Sequence, residues 1–143
     1  MAPTLVRLAA VADDDASALQ VFLDGIPKHD NDVASSIQYL LDVAGALRAV
    51  DNAIRTEFGH PSHLPESLQL DIDLVLRSFS QTHEKLDKNL FQQTRQRAFG
   101  GRIPFKLLWD ELDEQLTSEG SPLYSRLELY STFLQNVLHA IER

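Results

Sequence analysis

Four sets of residues carry types and spacings that could do chemistry. Asp51 stands alone on an apolar stripe, with Arg48 three residues before it and Arg55 four after. Both arginines lie within reach on one helix face. A carboxylate in such a stripe is costly unless paired. Pairing with these arginines at the edge of the stripe is the plain reading. Fixing helix register or partner choice is the sharper one, and a ligand or metal role is a third. His83 interrupts a second stripe in the same way. If an antiparallel hairpin joins the two stripes, Asp51 is level with Ile72 and His83 lies roughly 16 Å further along. A His83–Asp51 dyad is therefore not expected, and His83 reads as a satisfied histidine at the core edge.

The third set is His60 and His63, which flank Pro61-Ser62 with Glu57 and Glu66 nearby. Zinc accepts such donors, but two histidines in one loop, without a second distant pair, point to an exposed connection between helices. The fourth set is basic. Arg95, Arg97, Arg102 and Lys106 fall in Gln92–Lys106 with no acid among them, interleaved with Phe99, Ile103 and Phe105. Beside Gly100-Gly101, these cations could grip a phosphate or an anionic lipid head group. They could equally face an acidic protein surface. The plainest reading is a solvated loop that offsets Asp110, Glu111, Asp113 and Glu114 just after it.

Composition narrows the choices. The chain has 143 residues, enough for one domain with its own core. It has no cysteine, so neither a disulfide scaffold nor thiolate chemistry is available, which fits a reducing, cytoplasmic setting. Its net charge of −8 argues against nucleic acid as a partner. That charge is uneven: residues 1–60 carry net −5, residues 61–109 net +2 and residues 110–143 net −5. No apolar run is long enough to span a membrane. The apolar stretch Thr4–Ala12 lacks a basic leader and is followed by three aspartates, unlike a signal peptide. Phosphate-loop, nucleophile-elbow, HExxH and calcium-loop patterns do not occur, so no enzyme activity and no cofactor are expected.

The elements that would position these residues are helical. Over Asp30–Phe58, Val33, Ile37, Leu40, Ala44, Leu47, Asp51, Ile54 and Phe58 step by four and three without a slip. That is a heptad seam, and Leu41, Val43 and Val50 widen it enough to want two partner helices. Asp30, Asn31 and Asp32 suit its start, and Gly59 and Pro61 its stop. The first segment, Thr4–Ile26, is either one continuous helix or a loose arm and a fresh helix capped at Asp13-Asp14-Asp15. A helix from Pro65 to about Phe91 has the seam Ile72, Leu76, Phe79, His83, Leu86 and Leu90, with Leu68 and Val75 alongside. Gln92–Arg102 loses periodicity and reads as a loop. Pro104 opens a helix with Phe105, Trp109, Leu112 and Leu116 on one face, closed by Gly120. Ser121-Pro122 starts the last helix, with Ser121 as cap and Pro122 at the first helical position. Its seam is Leu123, Leu127, Tyr130, Leu134, Val137 and Ile141, widened by Leu129, Phe133 and Leu138. No segment alternates as a strand would. The expectation is an all-α, four- to five-helix antiparallel bundle.

The stretch Phe22–Leu47, with its PKHDNDV turn at Pro27–Val33, and the stretch Ser125–Leu134 resemble an N-terminal helical domain of large filamentous-fungal proteins of unassigned role. The resemblance carries no catalytic residues. It implies a single helical module, residues 1–143, ahead of further segments, that binds protein. The function expected is thus a non-enzymatic interaction or assembly module, through self-association or recruitment of a protein partner. The alternative is a helical module that binds an anionic small molecule or lipid surface through Arg95–Lys106.

Overall fold

The fold is all-α. The computed structural model describes residues 2–26, 31–97 and 103–143, without the side chains of residues 2, 3, 96 and 97. Helix α1 spans Ala2–Gly25, α2 Asn31–Phe58, α3 Glu66–Leu86, α4 Gln92–Arg97, α5 Phe105–Ser118 and α6 Leu123–Glu142. A π turn over Asp87–Phe91 joins α3 to α4 into one rod, so the described residues form five helical rods. Among the described residues no helix is long and apolar enough to cross a membrane.

Helix α2, 28 residues and so about 42 Å long, is the central element. It packs most extensively on α1 and α6. Helix α1 buries Ala9, Ala12 and Ala16, and α2 buries Ala44, Ala46, Ala53 and Ser36. Small side chains let the two backbones come close. The buried Ser36 hydroxyl donates to the Asp32 carbonyl at 2.7 Å, so the close approach leaves no orphaned hydroxyl. Val43 and Val50 join the buried face as expected, whereas Leu41 points outward, 45% exposed.

Helix α3 does not fold back on α2 as a close hairpin. Its neighbours are α6 and α1, so α2 and α3 occupy opposite corners of the bundle. The connection that permits this is Gly59–Pro65. Gly59 has φ +74°, a left-handed conformation that glycine adopts without strain, and its N–H donates to the Arg55 carbonyl to end α2. Helix α1 is continuous, and it runs parallel to α3: Asp15 meets His83, and one turn or two later Phe22 meets Phe91. Helix α6 buries all six expected seam residues from Leu123 to Ile141, while Leu129 is 65% exposed and does not widen the seam. Phe79 of α3 packs edge-on against Tyr130 of α6 at 6.1 Å.

The expected loop at Gln92–Arg102 is helical as far as Arg97. Nothing in Gln92–Arg97 breaks a helix, and the π turn lets the rod continue while both Leu90 and Phe91 turn inward. Gly100, Gly101 and Arg102 lie outside the described residues, as do Pro27 to Asp30 of the PKHDNDV turn. Pro65 and Pro122 each sit one position before their helix, at the cap, and Ser121 makes no side-chain cap to α6. Arg126 ties the two helices together instead: Nε donates to the Ser121 carbonyl and Nη2 to the Leu116 carbonyl, both at 2.9 Å, pinning the end of α5 to the start of α6.

Two glycines give opposite expectations. A Cβ at Gly25 would lie 2.2 Å from the Phe105 ring, which is itself held 5.0 Å from Phe22. Gly25→Ala should therefore destabilise the domain by about 1–3 kcal/mol through overpacking. Gly45, exposed within α2, meets nothing within 4 Å. Gly45→Ala should stabilise by about 0.5–1 kcal/mol. Thermal melts of the two variants should move in opposite directions.

Candidate functional site

Asp51 lies in the C-terminal part of α2, about two turns before its end, with a side chain only 6% exposed. Its Oδ2 accepts from Arg55 at 2.6 Å, one turn on. Its Oδ1 is buried with no hydrogen-bond partner among the described residues. Arg55 reaches the carboxylate from solvent, with 60% of its side chain exposed. Arg48 does not join them. It crosses to α1 and pairs with Asp13 at 2.5 Å, because the close α1–α2 contact brings that acid nearer than Asp51. Asp51 is thus half of a locally paired edge group and half an unpaired buried oxygen.

The basic set is not an acid-free loop in space. Arg95 sits on α4 and pairs with Asp87 of the π turn at 3.1 Å. Lys106 sits in the first turn of α5 and pairs with Asp110 at 3.0 Å. The Arg97 side chain and all of Arg102 lie outside the described residues. Asp87, eight residues before Arg95 on the same rod, and Asp110, one turn after Lys106, therefore take up the two described cations, which weakens an anion grip through them. His60 and His63 act as caps. His60 Nδ1 accepts from the Ser62 backbone N–H at 3.2 Å, and His63 Nδ1 donates to the Phe58 carbonyl at 3.1 Å. No group of three metal-ligating side chains converges among the described residues.

A site that the sequence reading missed joins α1 to α3. Asp15 Oδ2 lies 2.7 Å from His83 Nδ1, with the Asp15 side chain 3% and that of His83 31% exposed. Burial pushes the Asp15 carboxyl above its ordinary value, against the pull of the His83 hydrogen bond. The Asp15 hydrogen bond in turn raises His83, outweighing its partial burial. Asp14 on α1, Glu84 on α3 and Asp87 on the π turn add negative charge around the pair. One turn along, Asp87 accepts from Gln92 at 2.8 Å and from Arg95, and the Gln92 bond leads in holding its carboxyl below the ordinary value. Asp15 was hidden by its neighbours: a run of three aspartates reads as a helix cap, and the partner is 68 residues away.

The α3–α6 contact has its own polar tie. Tyr130 Oη lies 2.8 Å from both the Ser78 and Thr82 hydroxyls and donates to the Ser78 carbonyl at 3.2 Å. The hydroxyls of Ser78 and Thr82 can then donate to Oη, so this buried group is satisfied. Of the buried polar side chains, Asp15 and Thr82 tie helices to one another, whereas Ser36 and Asp51 bond within α2. Comparison with family models, with curated proteins and with solved structures finds no match to this chain.

Two outcomes are expected. Asp51→Leu removes a half-satisfied buried carboxylate and adds apolar burial, worth about 1–3 kcal/mol. It should raise the melting temperature by several degrees; a marked fall would make the carboxylate part of a required network. The His83–Asp15 link should make stability depend on pH. A raised folded value for His83 means its contribution is complete below 6.5, its unperturbed value, and is lost as pH climbs through the folded one. The raised Asp15 value acts in the same sense from 3.8 upward. Asp87, held low, works oppositely, but only as pH falls below 3.8. Melting temperature should therefore drop as pH rises above 6.5, and His83→Gln should flatten that slope.

Proposed function

We propose that the domain is a non-enzymatic helical assembly module that self-associates through the outer face of α3. The observation that carries this reading is a pair of leucines one turn apart on that face, Leu70 at 61% and Leu74 at 60% exposure. Single exposed leucines are ordinary. Two at this spacing form a continuous apolar stripe, and the stripe extends into the aliphatic stem of exposed Arg77.

Charge along the same face selects the partner. Its first half carries Glu66, Asp71 and Asp73, and its second half carries Arg77 and Glu84, all exposed, with Lys88 beyond it on the π turn. Two copies of α3 crossing antiparallel about Leu74 bring Asp71 of each opposite Arg77 of the other. A twofold contact repeats any such pair, so one favourable match counts twice. Exposed pairs of this kind contribute at most about 1 kcal/mol each; they set orientation, and the leucines supply most of the attraction. The absence of cysteine fits work in a reducing cytoplasm.

Sedimentation across a wide concentration range tests this. The wild-type mass should rise above the 16.1 kDa monomer at high concentration. Leu70→Ser with Leu74→Ser should hold the protein monomeric without lowering its melting temperature. Arg77→Asp should weaken association by placing acid against acid, and Asp71→Arg combined with Arg77→Asp should restore it. A monomer at every concentration overturns self-association through this face.

A further inference from the structure

We infer that the groove between the π turn and α5 is a binding site for an alkylguanidinium or alkylammonium group. It has a volume of about 270 Å³ and is lined by Asn89 and Gln93 from the rod and by Leu108, Glu111, Leu112 and Gln115 from α5. This inference is independent of the assembly reading, because the groove uses the α5 side of the rod and not its outer α3 face.

The groove exists because of the π turn. The seam Leu86, Leu90 would continue at Gln93 in an unbroken α-helix, directing that amide toward the core. The additional residue per turn lets Leu90 and Phe91 both bury and leaves Asn89 and Gln93, one turn apart, only half-buried beside α5. Leu108 and Leu112, 7% and 1% exposed, form the floor.

Every polar group in the lining can accept a hydrogen bond. Asn89 uses its amide nitrogen to donate to the Lys85 carbonyl at 2.9 Å, which leaves its oxygen as the acceptor end. Gln93 and Gln115 offer amide oxygens, and Glu111 is the one charged group in the lining. Glu114 of the same helix adds to the negative field, while Lys85 is spent on Glu119 and Lys106 on Asp110. Exposed Lys88 is the remaining cation of the π turn. A guanidinium group brings donors only, in a planar fork that suits several acceptors at once. Its alkyl stem fits the leucine floor. An anion would meet Glu111 with no cation in the lining, and a neutral donor would gain a hydrogen bond from that carboxylate but no charge pairing. The volume lies just below the usual range for small-molecule pockets, so the fitting ligand is small.

The test is a titration of the labelled protein with n-butylguanidinium, n-butylammonium and the neutral isostere n-butylurea, at physiological salt to suppress diffuse attraction to the acidic surface. The side-chain amide resonances of Asn89, Gln93 and Gln115 report on the groove directly. Butylguanidinium should shift them saturably, butylammonium less strongly and butylurea least. Glu111→Gln, at an exposed position, should keep the fold and weaken butylguanidinium binding about fivefold, the size of an exposed charge pair. Saturable binding by the two cations alone would assign the site to organic cations. Unmoved amide resonances, equal binding of butylurea, or full binding by Glu111→Gln would each overturn the inference.

Discussion

The close approach of α1 to α2 is the constraint on which the remaining packing depends. Ala9, Ala12 and Ala16 of α1 are buried small side chains, α2 buries Ala44 on one side and Ala46 and Ala53 on the other, and α2 packs chiefly on α1 and α6. The third long helix has no free face of α2 to join, and it goes to the opposite corner. There it meets α1 and α6 through larger residues: Ile72, Leu76, Phe79 and Leu86. Larger side chains hold axes further apart. The α3 side of the bundle is therefore the more loosely coupled one, and it is the side where polar links span the gap.

Those links follow from geometry. A gap between α3 and its neighbours that is too wide for alanine contacts can be bridged by long side chains with polar ends. Tyr130 does this from α6, with the aromatic ring against Phe79 and the hydroxyl on Ser78 and Thr82. His83 does it toward α1 by meeting Asp15. Burying Asp15 is unfavourable for its charged form, and only a donor such as His83 offsets that. The result is an edge whose stability tracks the protonation of one pair, unlike the alanine-lined contact between α1 and α2.

The seams of α2, α3 and α6 were legible in the sequence because three- and four-residue steps survive over many turns. All six seam residues of α6 are buried. What escaped was set by contacts distant in sequence. Arg48 could be given only local partners, Asp51 three residues away among them, and tertiary packing supplied Asp13 instead. Asp15 looked like a cap because nothing in its neighbourhood signals His83. The adjacent apolar pair Leu90-Phe91 was the available trace of the π turn, and its meaning depends on Phe22, which receives Phe91 from another helix. The basic set was legible as residues but not as a site, since Asp87 and Asp110 approach Arg95 and Lys106 only once the rod and α5 are formed.

The π turn resolves a conflict between two packing demands. Upstream, the seam of α3 faces α6 and α1 with a strict three–four spacing. Downstream, Phe91 must reach Phe22 while Leu90 stays in the core. Successive side chains diverge by about 100°, so a straight α-helix buries two consecutive residues only across one wide face, as α2 does with Val43 and Ala44. One wider turn removes the mismatch and leaves α4 rotated relative to α3. The same rotation aligns Asn89 and Gln93 along α5 and sets Gln92 and Arg95 on Asp87. The exposed leucines of α3, the protonatable pair and the polar groove all lie along this rod. A rod less tightly packed than α2 can carry such features with little loss to the core, which is where binding surfaces in small bundles are expected to sit.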